Sequence, residues 1–324
     1  LTKSLPADPE LTVLFAHVAY QGKARAEARG LPFRLLSATN REQVDALIPE
    51  ADVLVVSGLW RNDLPKLSPR LKLVQSYSAG TDQYDRAVFR EHGVRLASAA
   101  GANAEAVAEH AVALMLGIKR KLFTARDDQH NSHWSGMKAD FAVREDEIAG
   151  KTAIVVGMGR IGSRLIELLK AFRMTVIGVR ANPAAGAEGA DEVHALSAMP
   201  QLLPRADFVV LVCPLTPETT GLMNKAAFGA MKPTAWVVNC ARGRVCDEAD
   251  LIAALKARTI AGAALDVTAT EPLPADSELW KLPNCFVTPH TAGETCSYED
   301  NVLDLMVENI RRMRAGEALA NQIV

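Results

Sequence analysis

The chain has no excess of basic charge, no long apolar run, no paired cysteine spacing and no low-complexity tract. Its 36 Lys and Arg stand against 38 Asp and Glu, a formal net charge of −2, so the electrostatic footprint that nucleic-acid binding usually needs is missing. No apolar stretch approaches the roughly 18 residues of a membrane span. The opening residues, LTKSLPADPELTVLF, lack the apolar core and small-residue cleavage site of a signal peptide. Cys213, Cys240, Cys246, Cys285 and Cys296 all fall in the second half, mostly beside apolar residues and without metal-site spacing. They read as reduced, partly buried thiols. A soluble cytoplasmic protein with neither nucleic-acid nor membrane partners is the expectation. A chain of 324 residues should hold roughly two domains, each able to bury its own core.

What is present is an alternation. In the first hundred residues LTVLFAHVA, FRLLSA, ADVLVVSG, KLVQSYS and VRLASA read as strands, while REQVDALI and YDRAVFREHG read as helices, the second closed by Gly93. A long helix, NAEAVAEHAVALMLGIKRKL, follows, too apolar to lie alone on a surface. From Lys151 the alternation resumes, with candidate strands at 152–157, 174–179, 207–212, 234–239, 261–265 and 285–288. Strands alternating with crossovers imply an α/β protein with doubly wound parallel sheets. The tail YEDNVLDLMVENIRRMRAGE is an amphipathic helix able to return to the first unit.

The segment KTAIVVGMGRIGSRLIELLKAFRMTVIGVRANP has a strand, then Gly157, Gly159 and Gly162 in the order GxGxxG, then a helix. That context is what dinucleotide binding needs. The first glycine makes the tight turn, the second lets backbone approach a pyrophosphate, and the third lets helix and strand pack closely. The amides of Arg160 and Ile161 then stand at a helix N-terminus, where anions bind. The next strand should end in an acidic residue for the adenosine ribose, but it ends in Arg180, with Asn182 two residues on. A carboxylate there would repel a 2′-phosphate, whereas a guanidinium grips one. The site is therefore expected to prefer NADP, with NAD still accepted.

Three later strands end in charge. Arg242 follows AWVVNCA, Asp266 ends IAGAALD with Glu271 five residues on, and His290 follows NCFVTP. In an open parallel sheet ligands bind beyond the carboxyl ends of the strands, so these residues should converge. An arginine clamps a substrate carboxylate and polarises the neighbouring carbonyl. A histidine exchanges a proton with the carbonyl oxygen, and a glutamate bonded to it fixes the ring and favours the imidazolium. Elsewhere, His130 and His133 in HNSHW are not completed into a metal site, His17 reads as structural, and nothing marks Cys240 as an activated thiolate.

These motifs, together with PLTPETTGLMN, VVNCARGRVCDEADLIAAL, GAALDVTATEPLP and LPNCFVTPHTAG, resemble the D-isomer-specific 2-hydroxyacid dehydrogenase family over nearly the whole chain. The resemblance implies two Rossmann-like lobes with the active cleft between them. A cofactor lobe, 100–291, would be inserted into a flavodoxin-like substrate lobe formed by 1–99 and 292–324. It also implies a homodimer, with 120–150 as the arm reaching the partner. Arg242 matches the family's substrate arginine, Glu271 the histidine's partner, and His290 the acid/base. Asp266 matches the residue holding the nicotinamide amide, beside Cys240 and Ala241. Ala292 and Gly293 match the turn under the ring, and Pro214 and Thr219 match positions around adenosine and phosphates. In the substrate lobe, Ala79 and Gly80 fall on the carboxylate-binding loop. Leu59 and Trp60 fall where the variable end of the substrate lies, with Arg61 beside them to meet a polar or anionic tail. The implied reaction is NAD(P)H-dependent reduction of a small 2-oxo acid, of the glyoxylate or hydroxypyruvate kind, to the D-2-hydroxy acid, and its reverse. Two alternatives share the scaffold: a cofactor-sensing corepressor-like binding protein and a phosphite dehydrogenase-like enzyme, the latter disfavoured by Ala79 in place of a lysine.

Overall fold

Runs such as TVLFA and FVVL are buried at every position, the mark of parallel strands covered on both faces. A computed structural model describes residues 5–324 and places them in two units, residues 5–103 with Thr295–Val324, and Ala104–Glu294. The boundaries fall three or four residues later than the resemblance implies. Residues 100–103 stay with the first unit because Ala102 packs on its core and its carbonyl accepts from Asn301 Nδ2 at 2.8 Å. Residues 292–294 stay with the second, where Asp266 holds the amides of Thr291 and Ala292.

In the first unit, β1 (Thr12–Ala16), β2 (Arg34–Ala38), β3 (Val53–Val56), β4 (Leu73–Ser76) and β5 (Arg95–Ala97) form one parallel sheet in the order β2-β1-β3-β4-β5. Val13 lies beside Leu35 and Val53, so the apolar strand centres are in register. Two of its helices start on side-chain caps: Asn40 accepts from Gln43 N ahead of Arg41–Leu47, and Asp85 accepts from Ala87 N ahead of Arg86–His92. The second ends at Gly93, where φ is 64°. The tail helix Tyr298–Arg314 returns to this sheet. Tyr298, Val302, Met306, Ile310 and Met313 enter the core at helical spacing. Its fully buried Asn309 is satisfied by Gln75 Oε1 and by the Ala320 amide and carbonyl.

In the second unit, β6 (Thr152–Val156), β7 (Thr175–Val179), β8 (Glu192–His194), β9 (Phe208–Leu211), β10 (Trp236–Asn239), β11 (Gly262–Leu265) and β12 (Cys285–Val287) form a parallel sheet in the order β12-β11-β10-β9-β6-β7-β8. Ile154 and Val156 enter the core on one face, and Ala153 and Val155 enter the core on the other. The long helix Ala104–Lys119 packs on Arg160–Ala171 and belongs to the second of these cores. Residues 120–150 carry the helix Leu122–His130 and a stretch on which Trp134, Met137 and Phe141 are exposed. Among the described residues no helix is long and apolar enough to cross a membrane.

Candidate active site

The strand order of the second unit reverses between β6 and β9, and the glycine loop leaves β6 there. Gly157 has φ 102°, and a Cβ on it would strike Cys213 backbone at 2.7 Å. A Cβ on Gly162 would fall 1.9 Å from Gly157 O, so the helix Arg160–Ala171 begins hard against the turn and aims its first amides, those of Arg160 and Ile161, past it. Gly157 and Gly159, with Val179, Arg180, Asn182, Pro214 and Thr219, line a cleft of about 730 Å³. Thr219 shapes the wall from within: its hydroxyl donates to Pro214 O at 2.7 Å and accepts from Thr216 N. Arg180 Nη1 donates to Gly186 O at 3.1 Å and lies 3.4 Å from Glu188 Oε1. Asn182 uses its side-chain oxygen to cap Ala184 N. The cleft, the helix start and the guanidinium fit a dinucleotide in the chemistry of their donors.

Parallel register brings the charged strand ends together. Asn239 of β10 pairs with Leu265 of β11, and Leu265 with Val287 of β12. Arg242, Asp266 and His290 therefore follow three adjacent strands by one to three residues. His290 Nδ1 meets Glu271 Oε2 at 2.7 Å, and Glu271 Oε1 accepts from Thr268 N at 3.0 Å. A Cβ on Gly243 would collide with Thr268 backbone at 2.0 Å. The turn after Arg242 thus abuts the loop that carries Glu271. His290 has φ 55°, a left-handed conformation for a non-glycine residue, and such strain collects at functional sites. Arg242 is anchored through Nη1 to Ala241 O at 2.7 Å.

Asp266 is buried and accepts from Thr288 Oγ1 at 2.6 Å, Thr291 N at 3.0 Å and Ala292 N at 3.1 Å. It thereby fixes the turn at Ala292 and Gly293. Cys240 lies close by; burial, and then the Asp266 charge, push its thiol well above the ordinary range. Two polar residues that shape the site carry no charge motif. Asn239, 1% exposed, accepts from Ala241 N at 3.0 Å and donates to Arg242 O at 3.1 Å, so it sets the Cys240–Arg242 turn. His110, on the long helix, contacts Thr288 Oγ1 at 3.0 Å. The available signals were an asparagine closing an apolar strand and a histidine within an apolar helical stripe.

The remaining substrate candidates belong to the first unit. Ala79 and Gly80 lie half-buried on the loop after β4. Leu59 and Trp60 are both buried in the core of this unit, and the Trp60 indole stacks on Phe89 at 5.0 Å while Nε1 donates to Asn62. Aromatic packing holds this side chain inside rather than as an open wall. Arg61 is tied to both Asp45 and Asp63, the carboxylates that hold its guanidinium ion-paired.

Comparison with known proteins places the chain in a family. The family profile described as D-isomer specific 2-hydroxyacid dehydrogenase, NAD binding domain, matches residues 112–292. A D-3-phosphoglycerate dehydrogenase from Mycobacterium bovis is 35% identical over 294 residues, 90% of this chain and 54% of that protein. The chain spans about half the length of the curated relatives it matches first. A D-isomer specific 2-hydroxyacid dehydrogenase family protein from Aeromonas salmonicida superposes with a TM-score of 0.84 at 30% identity, covering 97% of this chain and 99% of that one. An NADPH-dependent glyoxylate/hydroxypyruvate reductase from Sinorhizobium meliloti has a TM-score of 0.82 at 23% identity over 97% and 98% of the two chains, a likeness of fold.

Proposed function

The chain belongs to the D-isomer-specific 2-hydroxyacid dehydrogenase family, and on that premise we propose that it reduces a small 2-oxo acid to the D-2-hydroxy acid, preferring NADPH, and catalyses the reverse. The observation that carries the reading is the 2.7 Å bond between His290 Nδ1 and Glu271 Oε2, set beside the Arg242 turn at the ends of adjacent strands. Bound reduced nicotinamide supplies the hydride. Arg242 binds the substrate carboxylate and draws electron density from the carbonyl. His290, its ring fixed through Nδ1, gives the Nε2 proton to the oxygen as charge develops there. Glu271 stabilises the doubly protonated ring before transfer and holds its plane during it. Asp266, with both oxygens engaged by the 288–292 segment, accepts from the nicotinamide carboxamide, with Cys240 and Ala241 backbone and the Ala292–Gly293 turn around the ring. The Arg160 and Ile161 amides bind pyrophosphate. Arg180 and Asn182 take the 2′-phosphate, and Pro214 and Thr219 flank the adenosine.

Glyoxylate and hydroxypyruvate are the proposed substrates. A second reading, oxidation of a phosphorylated D-hydroxy acid, is favoured by the name of the 35% identical relative. The assay follows reduced-nicotinamide absorbance with NADPH and NADH separately, against glyoxylate, hydroxypyruvate, pyruvate and a bulky phenyl 2-oxo acid. D-3-phosphoglycerate is assayed in the oxidative direction. Fast NADPH loss with a two- or three-carbon acid supports the proposal. Turnover of phosphoglycerate alone selects the second reading, and tight nucleotide binding without any turnover points to a cofactor-sensing protein. A homodimer built through 120–150, whose Trp134, Met137 and Phe141 are exposed on the single chain, is part of the same proposal, and sedimentation tests it.

A further inference from the structure

Thr288 Oγ1 lies between two titratable groups. It is 2.6 Å from Asp266 Oδ1 and 3.0 Å from His110 Nε2, and that nitrogen is itself 3.7 Å from the same carboxylate oxygen. A hydroxyl has one proton. At 2.6 Å from a carboxylate oxygen that proton must lie toward Asp266, since two oxygens without a proton between them repel. Thr288 therefore receives from His110, and His110 carries its proton on Nε2. The direction of the chain is fixed: His110 Nε2–H to Thr288 Oγ1, Thr288 Oγ1–H to Asp266 Oδ1.

The consequence falls on Asp266. Three donors, Thr288 Oγ1, Thr291 N and Ala292 N, reach Oδ1, while Oδ2 shares only the Ala292 amide among the described residues. A carboxylate has about four acceptor positions, so the chain settles which oxygen is used internally and which keeps capacity to accept. Thr288 also begins the Thr288–Pro289–His290 turn, where His290 N donates to Thr288 O at 3.0 Å. The chain thus ties the carboxylate to the backbone of the acid/base histidine. His110 reaches this point because it shares a helix face with the buried Val107 and Leu114, three residues before and four after it.

We infer that His110 is a positioning residue for the nicotinamide end of the cofactor site, acting through Thr288 to hold Asp266 with Oδ2 as its ligand-facing acceptor. This rests on the dehydrogenase reading above. The test is a fluorescence titration of the cofactor-free protein with NADPH, paired with titration of 2′-phospho-ADP-ribose, which lacks the nicotinamide. His110→Phe should weaken NADPH about tenfold, the scale of one charge-assisted hydrogen bond, and leave 2′-phospho-ADP-ribose unchanged. His110→Gln, which restores a donor near Nε2, and Thr288→Ser should bind NADPH within about threefold of the original chain, while Thr288→Val should behave as His110→Phe. NMR of isotope-labelled histidine should show His110 protonated on Nε2 in the cofactor-free protein. Equal losses for both ligands would show a merely structural histidine and overturn the inference, as would a ring protonated on Nδ1 alone. If the unaltered protein binds 2′-phospho-ADP-ribose but not NADPH, the nicotinamide assignment of Asp266 falls. If it binds neither, the dinucleotide reading itself falls.

Discussion

Replacing Glu271 by Gln probes the best-defined contact of the proposed site. The carboxylate works with both oxygens, Oε1 accepting from Thr268 N at 3.0 Å and Oε2 facing His290 Nδ1 at 2.7 Å. An amide of the same shape has one acceptor. If it keeps the Thr268 bond, its NH₂ faces Nδ1, and the doubly protonated ring that delivers the proton loses the acceptor for its Nδ1–H. If it turns round, its NH₂ meets the Thr268 N–H, donor against donor. One bond is lost either way. A hydrogen bond to a charged group contributes roughly 1.5–3 kcal/mol net. The His290 and Glu271 side chains are 50% and 37% exposed, and solvent screening brings the loss to about 1–2 kcal/mol. That corresponds to about 5–30-fold in turnover. Steady-state reduction kinetics would measure it, with nucleotide affinity by fluorescence as the control, expected to stay within about twofold. Turnover within about twofold of the unaltered enzyme would refute the supporting role of Glu271. A loss beyond about a thousandfold with affinity intact would mean that the carboxylate takes part in the chemistry itself.

Arg180→Ala should weaken NADPH by about 30-fold and NADH by no more than about threefold; Glu188→Gln, which removes the carboxylate 3.4 Å from the guanidinium, should tighten NADPH. Equal losses of both nucleotides in Arg180→Ala would sink the 2′-phosphate assignment. Iodoacetamide at neutral pH should alkylate the exposed Cys296 and spare the other four cysteines, because burial pushes the Cys213 thiol up to about 11 and those of Cys246 and Cys285 up to about 12. Intact-mass analysis showing modification at Cys240 would contradict the burial of that thiol beside Asp266. His17 is a pH-sensitive point of the first unit: burial lowers its pKa below the ordinary 6.5, and its Nδ1 accepts from the Tyr20 and Ala19 amides. The unfolded chain therefore binds this proton more readily, so stability present above about pH 6.5 should fall as pH drops toward the folded value. Denaturation midpoints of His17→Asn should fall less steeply over that window, and parallel curves would assign the loss to other groups.

Legibility in the sequence tracks how local the physics is. The strands of both sheets are readable because their apolar runs are bounded by turns, and because parallel strands buried on both faces need few polar residues. β8 is the exception, and its residues say why: Glu192, Val193 and His194 form an edge strand held by pairing to Ile177–Val179, with Glu192 bonded to Arg205 and His194. Nothing apolar announces such a segment. The charged strand ends Arg242, Asp266 and His290 could be placed because the carboxyl ends of parallel strands are one location whatever the register. Trp60 could not, since the loop SGLWRND suits either an open wall or an inward indole, and only the positions of Tyr84 and Phe89 decide it.

The same distinction separates what is known of Arg180 from what is known of His110. The sign of the charge at the end of β7 is a property of one residue, and it supports a preference for the phosphorylated nucleotide. The strength of the proposed preference depends on whether Glu188 competes for the guanidinium. That pairing arises from a loop in which Gly186, Glu188 and Gly189 all adopt positive φ, a conformation that no pattern of hydrophobicity encodes. His110 lies 178 residues from Thr288, and each is unremarked alone, a histidine on a helix stripe and a threonine before Pro289. Only the packing of the helix Ala104–Lys119 against the sheet makes them donor and acceptor. Polar residues within apolar runs therefore mark where a partner must exist without saying how far away it lies: Asn239 finds its own two and three residues on, and His110 finds its own across the fold, because leaving such a group desolvated and unbonded costs about 1–3 kcal/mol.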